Sequence, residues 1–159
     1  MTLSKIGVVP FYAAQQRQFR SGVLAEQWAR QYPLIFDDDD LRLAKSQPQY
    51  HFFEWLGAVV LHTTTGYLSL VEKYEFSNHA RKVTLLRQML PQPVLQLVTA
   101  RGAQCPDLFV YSPDQSDWFF CEVKGPIDRV RKEQEDYFAE LAMVSGKPVA
   151  LLGFEEMVV

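Results

Sequence analysis

Cysteine, histidine and long apolar runs are all scarce in this sequence, and each scarcity excludes something. The two cysteines, Cys105 and Cys121, form no CxxC pair. With no secretion signal they read as reduced thiols of a cytosolic protein. The three histidines, His51, His62 and His79, lack metal-ligand spacing to one another and read as surface or core residues. No apolar run approaches the ~20 residues of a membrane span. The first eighteen residues, MTLSKIGVVPFYAAQQRQ, have no long apolar centre and make a poor signal peptide. The expectation is a cytoplasmic protein with reduced thiols and no membrane association. Positive charge is also short: 16 Lys and Arg stand against 19 Asp and Glu, for a net charge of −3. Such a chain does not coat nucleic acid through bulk charge. Any contact with a polyanion must use a local basic face, for which HARKVTLLR (79–87) and DRVRKEQ (128–134) are the candidates.

What is present suits a single domain of 159 residues with a sizeable core. Residues 13–31 read as helix, broken near Ser21 and Gly22, with Phe19, Val23, Leu24 and Trp28 near helical spacing. FDDDDLRLAKSQPQ reads as a connection whose four aspartates face solvent, one of them free to cap a helical turn. QYHFFEWLGAVVLH (49–62) is a second helix with an apolar stripe at Phe52, Leu56, Val59 and Val60. GYLSLVEKYEF (66–76) alternates as a strand, with Glu72 among its apolar positions. SNHARKVTLLRQML (77–90) is helical, with Ser77 or Asn78 as cap, and VLQLVTARG adds a turn or two after the prolines. Two short strands joined by SPDQSD follow, then a helix over 128–146 that ends at Gly146, then a buried strand, KPVALLGF. The expected fold is α/β, a mixed central sheet flanked by helices.

Two strands carry the chemistry. Apolar runs Leu108–Tyr111 and Trp118–Val123 border Asp107, Glu122 and Lys124. Strand side chains alternate, so Glu122 and Lys124 share a face, about 6.5–7 Å apart along the backbone. If the strands pair through the 112–117 turn, Asp107 lies beside Glu122. Two carboxylates that close repel, and one takes a proton unless a cation sits between them. An all-oxygen pair, with the Val123 backbone carbonyl as a third donor, suits Mg²⁺ or Mn²⁺. With Lys124 beside it, the set fits phosphodiester hydrolysis.

The stretch PDLFVY…WFFCEVKGPIDRVRKEQ resembles the VRR-NUC branch of the PD-(D/E)xK nuclease superfamily: a PDL strand, an EVKGP strand end, then D-R and a helix glutamine. The strong part of the resemblance runs from Gly102 to Leu141. It implies a restriction-endonuclease-like core over residues 49–154, preceded by a helical extension, residues 1–48. It implies a divalent-metal-dependent nuclease with Asp107 and Glu122 as metal ligands, Lys124 as the catalytic lysine and Gln134 beside them. The family's helix glutamate corresponds to Glu54 as a further catalytic residue and ligand, with Glu72 as its rival. Arg129, Arg131 and Lys132 would meet DNA phosphates. The implied substrate is branched DNA, a flap or a Holliday junction, and the implied assembly is a homodimer. Its contact would lie on the apolar N-terminal helix or on residues 77–101. Two alternatives stay open: a non-catalytic DNA-binding or assembly subunit that keeps the fold, and a nuclease of linear duplex DNA or RNA. The intact Asp107, Glu122 and Lys124 set disfavours the first, because a retired site has no need of three such charges.

Overall fold

A computed structural model describes residues 3–72, 74, 79–100 and 104–158. Its strands are β1 (Leu3–Phe11), β2 (Leu68–Leu70), β3 (Leu108–Tyr111), β4 (Trp118–Lys124) and β5 (Val149–Glu156). Its helices are α1 (Ala13–Arg20), α2 (Val23–Gln31), α3 (Asp38–Ser46), α4 (Phe52–Thr65), α5 (Ala80–Met89), α6 (Gln92–Ala100) and α7 (Lys132–Ser145). The strands form one mixed sheet in the order β1-β5-β4-β3-β2. β1, β5 and β4 run parallel; β3 is antiparallel to β4, and β2 to β3. These directions bring the ends of β2 and β4 and the start of β3 to one edge of the sheet.

The N-terminal region departs from the expected helical extension. It opens on β1, which pairs with β5 along its length and closes the sheet. The helix that follows does break where Ser21 and Gly22 stand, because Gly22 takes a left-handed φ of 89° between α1 and α2. That break turns Val23 outward to 62% exposure, while Phe19, Leu24 and Trp28 are buried. These three therefore have no apolar surface to spare for a dimer contact. Phe19 instead packs edge-on against Phe52 and Trp55 of α4, with ring centroids 5.7 and 5.5 Å away.

The aspartate run is also not a solvated loop. Asp37 caps α3 by accepting from the Asp40 N–H at 2.7 Å, and Asp40 Oδ2 accepts from the Asp37 N–H at 3.1 Å. Asp40 is then buried in an ion pair with Lys82 of α5 at 2.5 Å. Of the expected strand 66–76, Leu68–Leu70 form β2, and Glu72 just beyond it has a positive φ of 56°. Phe76 and the proposed caps Ser77 and Asn78 lie outside the described residues. Helix α7 ends as expected at Gly146, which has a left-handed φ of 74°.

Helix α4 lies on the sheet face that carries Leu108, Val123 and Leu152. Gly57 permits the close approach: a Cβ there would stand 3.1 Å from Val123 Cγ1. By strand alternation Glu122 and Lys124 point to the opposite face, where α7 begins. Among the described residues, no helix is long and apolar enough to cross a membrane.

Candidate active site

The antiparallel pairing of β3 and β4 sets Leu108 opposite Cys121. Asp107 thus arrives beside Glu122, and the two strands are tied reciprocally. The Asp107 N–H donates to Glu122 Oε1 at 3.1 Å, and the Val123 N–H donates to Asp107 Oδ2 at 3.0 Å. Lys124 Nζ is 3.2 Å from Glu122 Oε2. Gln134, in the first turn of α7, joins them: its Nε2 donates to Glu122 Oε2 at 2.9 Å, and its Oε1 accepts from Lys124 Nζ at 3.2 Å. The same Oε1 accepts from the Arg131 N–H at 3.0 Å, so the glutamine also caps its helix. Asp107, Glu122, Lys124 and Gln134 therefore meet at one place.

Glu54 approaches from α4. The start of that helix is held against the end of β4: a Cβ on Gly125 would meet the Phe53 ring at 2.9 Å. The Gly125 N–H donates to Asp128 Oδ2 at 3.1 Å and closes the turn after β4. Burial, together with the nearby charges of Glu122 and Glu54, holds the Asp107 carboxyl well above its ordinary range. Burial, helped by Glu72 and Glu122 and opposed by His51, raises Glu54 to about 7. Each of these carboxyls thus registers the charge of its neighbours.

His51 was not recognised in the sequence as part of this cluster. It lies between Glu54 and Glu72, with Nδ1 2.7 Å from Glu72 Oε2 and 3.9 Å from Glu54 Oε2. The closer contact is an ion pair between buried side chains. Burial pulls the His51 pKa down, but the two carboxylates outweigh it and raise it to about 9. The H-x-x-E spacing of His51 and Glu54 at a helix start was the available signal, since residues three apart share a helix face. Glu72 is fixed on its other side by Trp55 Nε1, which donates to its Oε1 at 2.8 Å. Lys82 Nζ donates to the carbonyls of Val71 and Glu72 at 2.7 and 3.1 Å. Glu54 and Glu72, rivals in the sequence, thus belong to one cluster through His51.

Arg129, Arg131 and Lys132 are exposed around the start of α7. Arg129 Nη1 donates to the Asp128 carbonyl at 3.1 Å, and Lys132 pairs with Asp136 at 3.1 Å on the helix surface. Cys121 is buried, and burial pushes its thiol far up, so it is no nucleophile.

The VRR-NUC domain model matches residues 61–153, more than half of the chain. The protein belongs to the VRR-NUC family. That family is a branch of the PD-(D/E)xK nuclease superfamily. The matched part of this VRR-NUC chain includes Asp107, Glu122, Lys124 and Gln134; Glu54, His51 and β1 precede it. The structure of paFAN1 bound to 2nt 5′ flap DNA with gap is similar over 69% of this chain and 24% of that one, at 18% identity and a TM-score of 0.31. The VRR-NUC chain thus corresponds to under a quarter of that protein's length. No curated protein matches it.

Proposed function

We propose that this chain is a divalent-metal-dependent nuclease that hydrolyses phosphodiesters in branched DNA. The observation that carries the reading is the meeting of Asp107, Glu122, Lys124 and Gln134 at one sheet edge. Buried carboxylates that crowd one another are costly unless protonated or bound to a cation. The crowding at Asp107 makes this edge a fit for a cation, and its donors are oxygens. Hard ions of the Mg²⁺ or Mn²⁺ class suit that set. Asp107, Glu122 and Glu54 would hold the ion, with the Val123 carbonyl as a backbone donor. Such an ion, when bound, lowers the pKa of a water and neutralises charge on a phosphate oxygen.

The chain's own residues supply the rest. Lys124 is held by Gln134 and Glu122, so its ammonium has a fixed position from which to orient a water and stabilise developing negative charge. Gln134 fixes both Glu122 and Lys124 from one amide. Arg129 and Arg131 stand exposed beside Lys124 to meet flanking phosphates, and Lys132 shares its charge with Asp136. A homodimer would supply two symmetric cuts to a four-way junction.

Cleavage assays with Mg²⁺ or Mn²⁺ on linear duplex, flap, four-way junction and RNA substrates test this reading. Branched DNA is expected to be cut first, with Glu122→Gln inactive. Preference for linear duplex or RNA would overturn the substrate class. No cleavage of any substrate would favour the non-catalytic subunit. Light scattering tests the dimer separately.

A further inference from the structure

Beside Lys124 the sheet carries a trough of about 390 Å³, floored by β5 and walled by β1 and the turn Gly125–Val130. Its position follows from strand register. Glu122 is level with Leu151, and Leu151 with Lys5; Lys124 is level with Gly153, and Gly153 with Val8. The two rows therefore run from the active-site strand across β5 to β1. The register shift between Lys5 and Gly7 has a direct effect. Residues 5 and 8 would face opposite ways on a regular strand, yet both line the trough. Gly153 at its centre leaves the floor low: a Cβ there would meet Val8 Cγ2 at 3.7 Å.

The charge of the trough opposes that of the chain. Lys5, Lys124 and Arg129 line it. The single acid among its lining residues, Asp128, is engaged by the Gly125 N–H. A chain of net charge −3 thus places three cations around one groove, and one of them, Lys124, stands 3.2 Å from Glu122. Lys5 and Val8 are exposed. Lys5 stands two strand spacings from Glu122, about 10 Å across the sheet.

We propose that this trough seats the sugar-phosphate backbone next to the scissile phosphate, and that Lys5 is its outer phosphate contact. The occupant is a nucleic-acid strand, because the lining offers cations and a shallow apolar floor but no base-reading amides. This rests on the nuclease reading and extends it to a strand outside the family match. β1 then has a role in substrate binding as well as in closing the sheet.

The test is DNA binding by fluorescence anisotropy between 50 and 200 mM salt, with Ca²⁺ in place of a catalytic ion, for wild type, Lys5→Ala, Lys5→Glu and a matched control, Lys147→Ala. Lys147 lies at the other end of β4, beside Trp118. Losing one phosphate contact should reduce the slope of log affinity against log salt by about 0.9. The affinity advantage of wild type over Lys5→Ala should then shrink about threefold across that range. Lys5→Glu should bind more weakly still, and Lys147→Ala should match wild type. In cleavage, Lys5→Ala should raise the half-saturating DNA concentration more than it lowers the rate at saturation. If both Lys5 variants bind with wild-type affinity and slope, the trough is not the strand's seat, whether or not wild type cleaves. If Lys5 governs binding but wild type cuts nothing with Mg²⁺ or Mn²⁺, the nuclease reading fails and the trough stands. Equal losses in Lys5→Ala and Lys147→Ala would mean general charge attraction and would overturn the inference.

Discussion

Gln134 and Glu122 are joined by a 2.9 Å hydrogen bond between a helix start and a strand end. The other end of the same amide accepts from Lys124. Gln134→Ala should therefore release both groups at once. Small misplacements of reacting groups cost about 10²-fold, and a loss of that order is expected in single-turnover cleavage. Gln134→Glu should not rescue it, because it adds a carboxylate beside Glu122. A wild-type rate in Gln134→Ala would remove the glutamine from the mechanism.

Lys124→Ala should abolish measurable cleavage, a loss of about 10²–10⁴-fold by analogy with positioned proton-transfer groups. Its fold should persist, since this half-buried side chain fills no core. DNA binding should weaken modestly, as one of several cations is lost. Circular dichroism, anisotropy and cleavage on one preparation separate these outcomes, and near-normal cleavage would exclude Lys124 as a catalytic residue.

Asp107→Asn should make the metal-free protein more stable while making it unresponsive to metal. The sign follows from the raised pKa of the Asp107 carboxyl. A carboxyl raised by folding favours the native state below its unfolded value, and that contribution is lost as pH rises through the folded value. At neutral pH the crowded acids therefore work against folding. In EDTA at pH 8 the variant should melt above wild type. With Mn²⁺ at a hundredfold excess over its Kd, wild type should gain about 2.7 kcal/mol and Asp107→Asn far less. Equal gains would place the ion elsewhere.

The Asp40–Lys82 pair gives a pH-dependent stability test. Burial raises Asp40 to about 6 even though Lys82 and the Asp37 N–H oppose it. Its stabilising contribution is full below the unfolded value of 3.8 and declines as pH passes through 6. Lys82→Met strands the carboxylate and should cost about 3–5 kcal/mol at pH 8. The deficit should be smaller near pH 5, where Asp40 takes up a proton. Adding Asp40→Leu should recover part of the loss. Urea melts of the single and double variants at both pH values decide it, and a pH-independent deficit would contradict the raised Asp40 pKa.

The parts of the fold legible in the sequence are those with local signals. β3 and β4 alternate and flank a turn rich in Ser, Asp and Pro, so the approach of Asp107 to Glu122 could be read from strand parity, while the place of Gln134 comes from the family resemblance. β1 could not. Gly7 and Pro10 interrupt its pattern and Ile6 and Val8 point outward, as an edge strand permits; its partner lies at the far end of the chain. α3 was hidden because a run of acids resembles a loop until one of them finds a buried lysine. β2 was drawn too long because nothing local announces that Glu72 turns left-handed. His51 has no metal-ligand spacing to the other histidines; its partners are carboxylates, Glu54 one helical turn away and Glu72 beyond β2.

The pairing of residues 3–11 with residues 149–156 also sets an order of assembly. Among the described strands, the first in chain order is matched only to the last. During translation β1 has to wait, with Ile6 and Val8 on an unpaired edge, until β5 has been made. Contacts so far apart in sequence form slowly and leave open edges in the meantime. Lys5 takes its place in the trough only when that seam closes. A growing or broken chain lacking Val149–Glu156 would carry Asp107, Glu122 and Lys124 but no completed groove to bring a DNA strand to them.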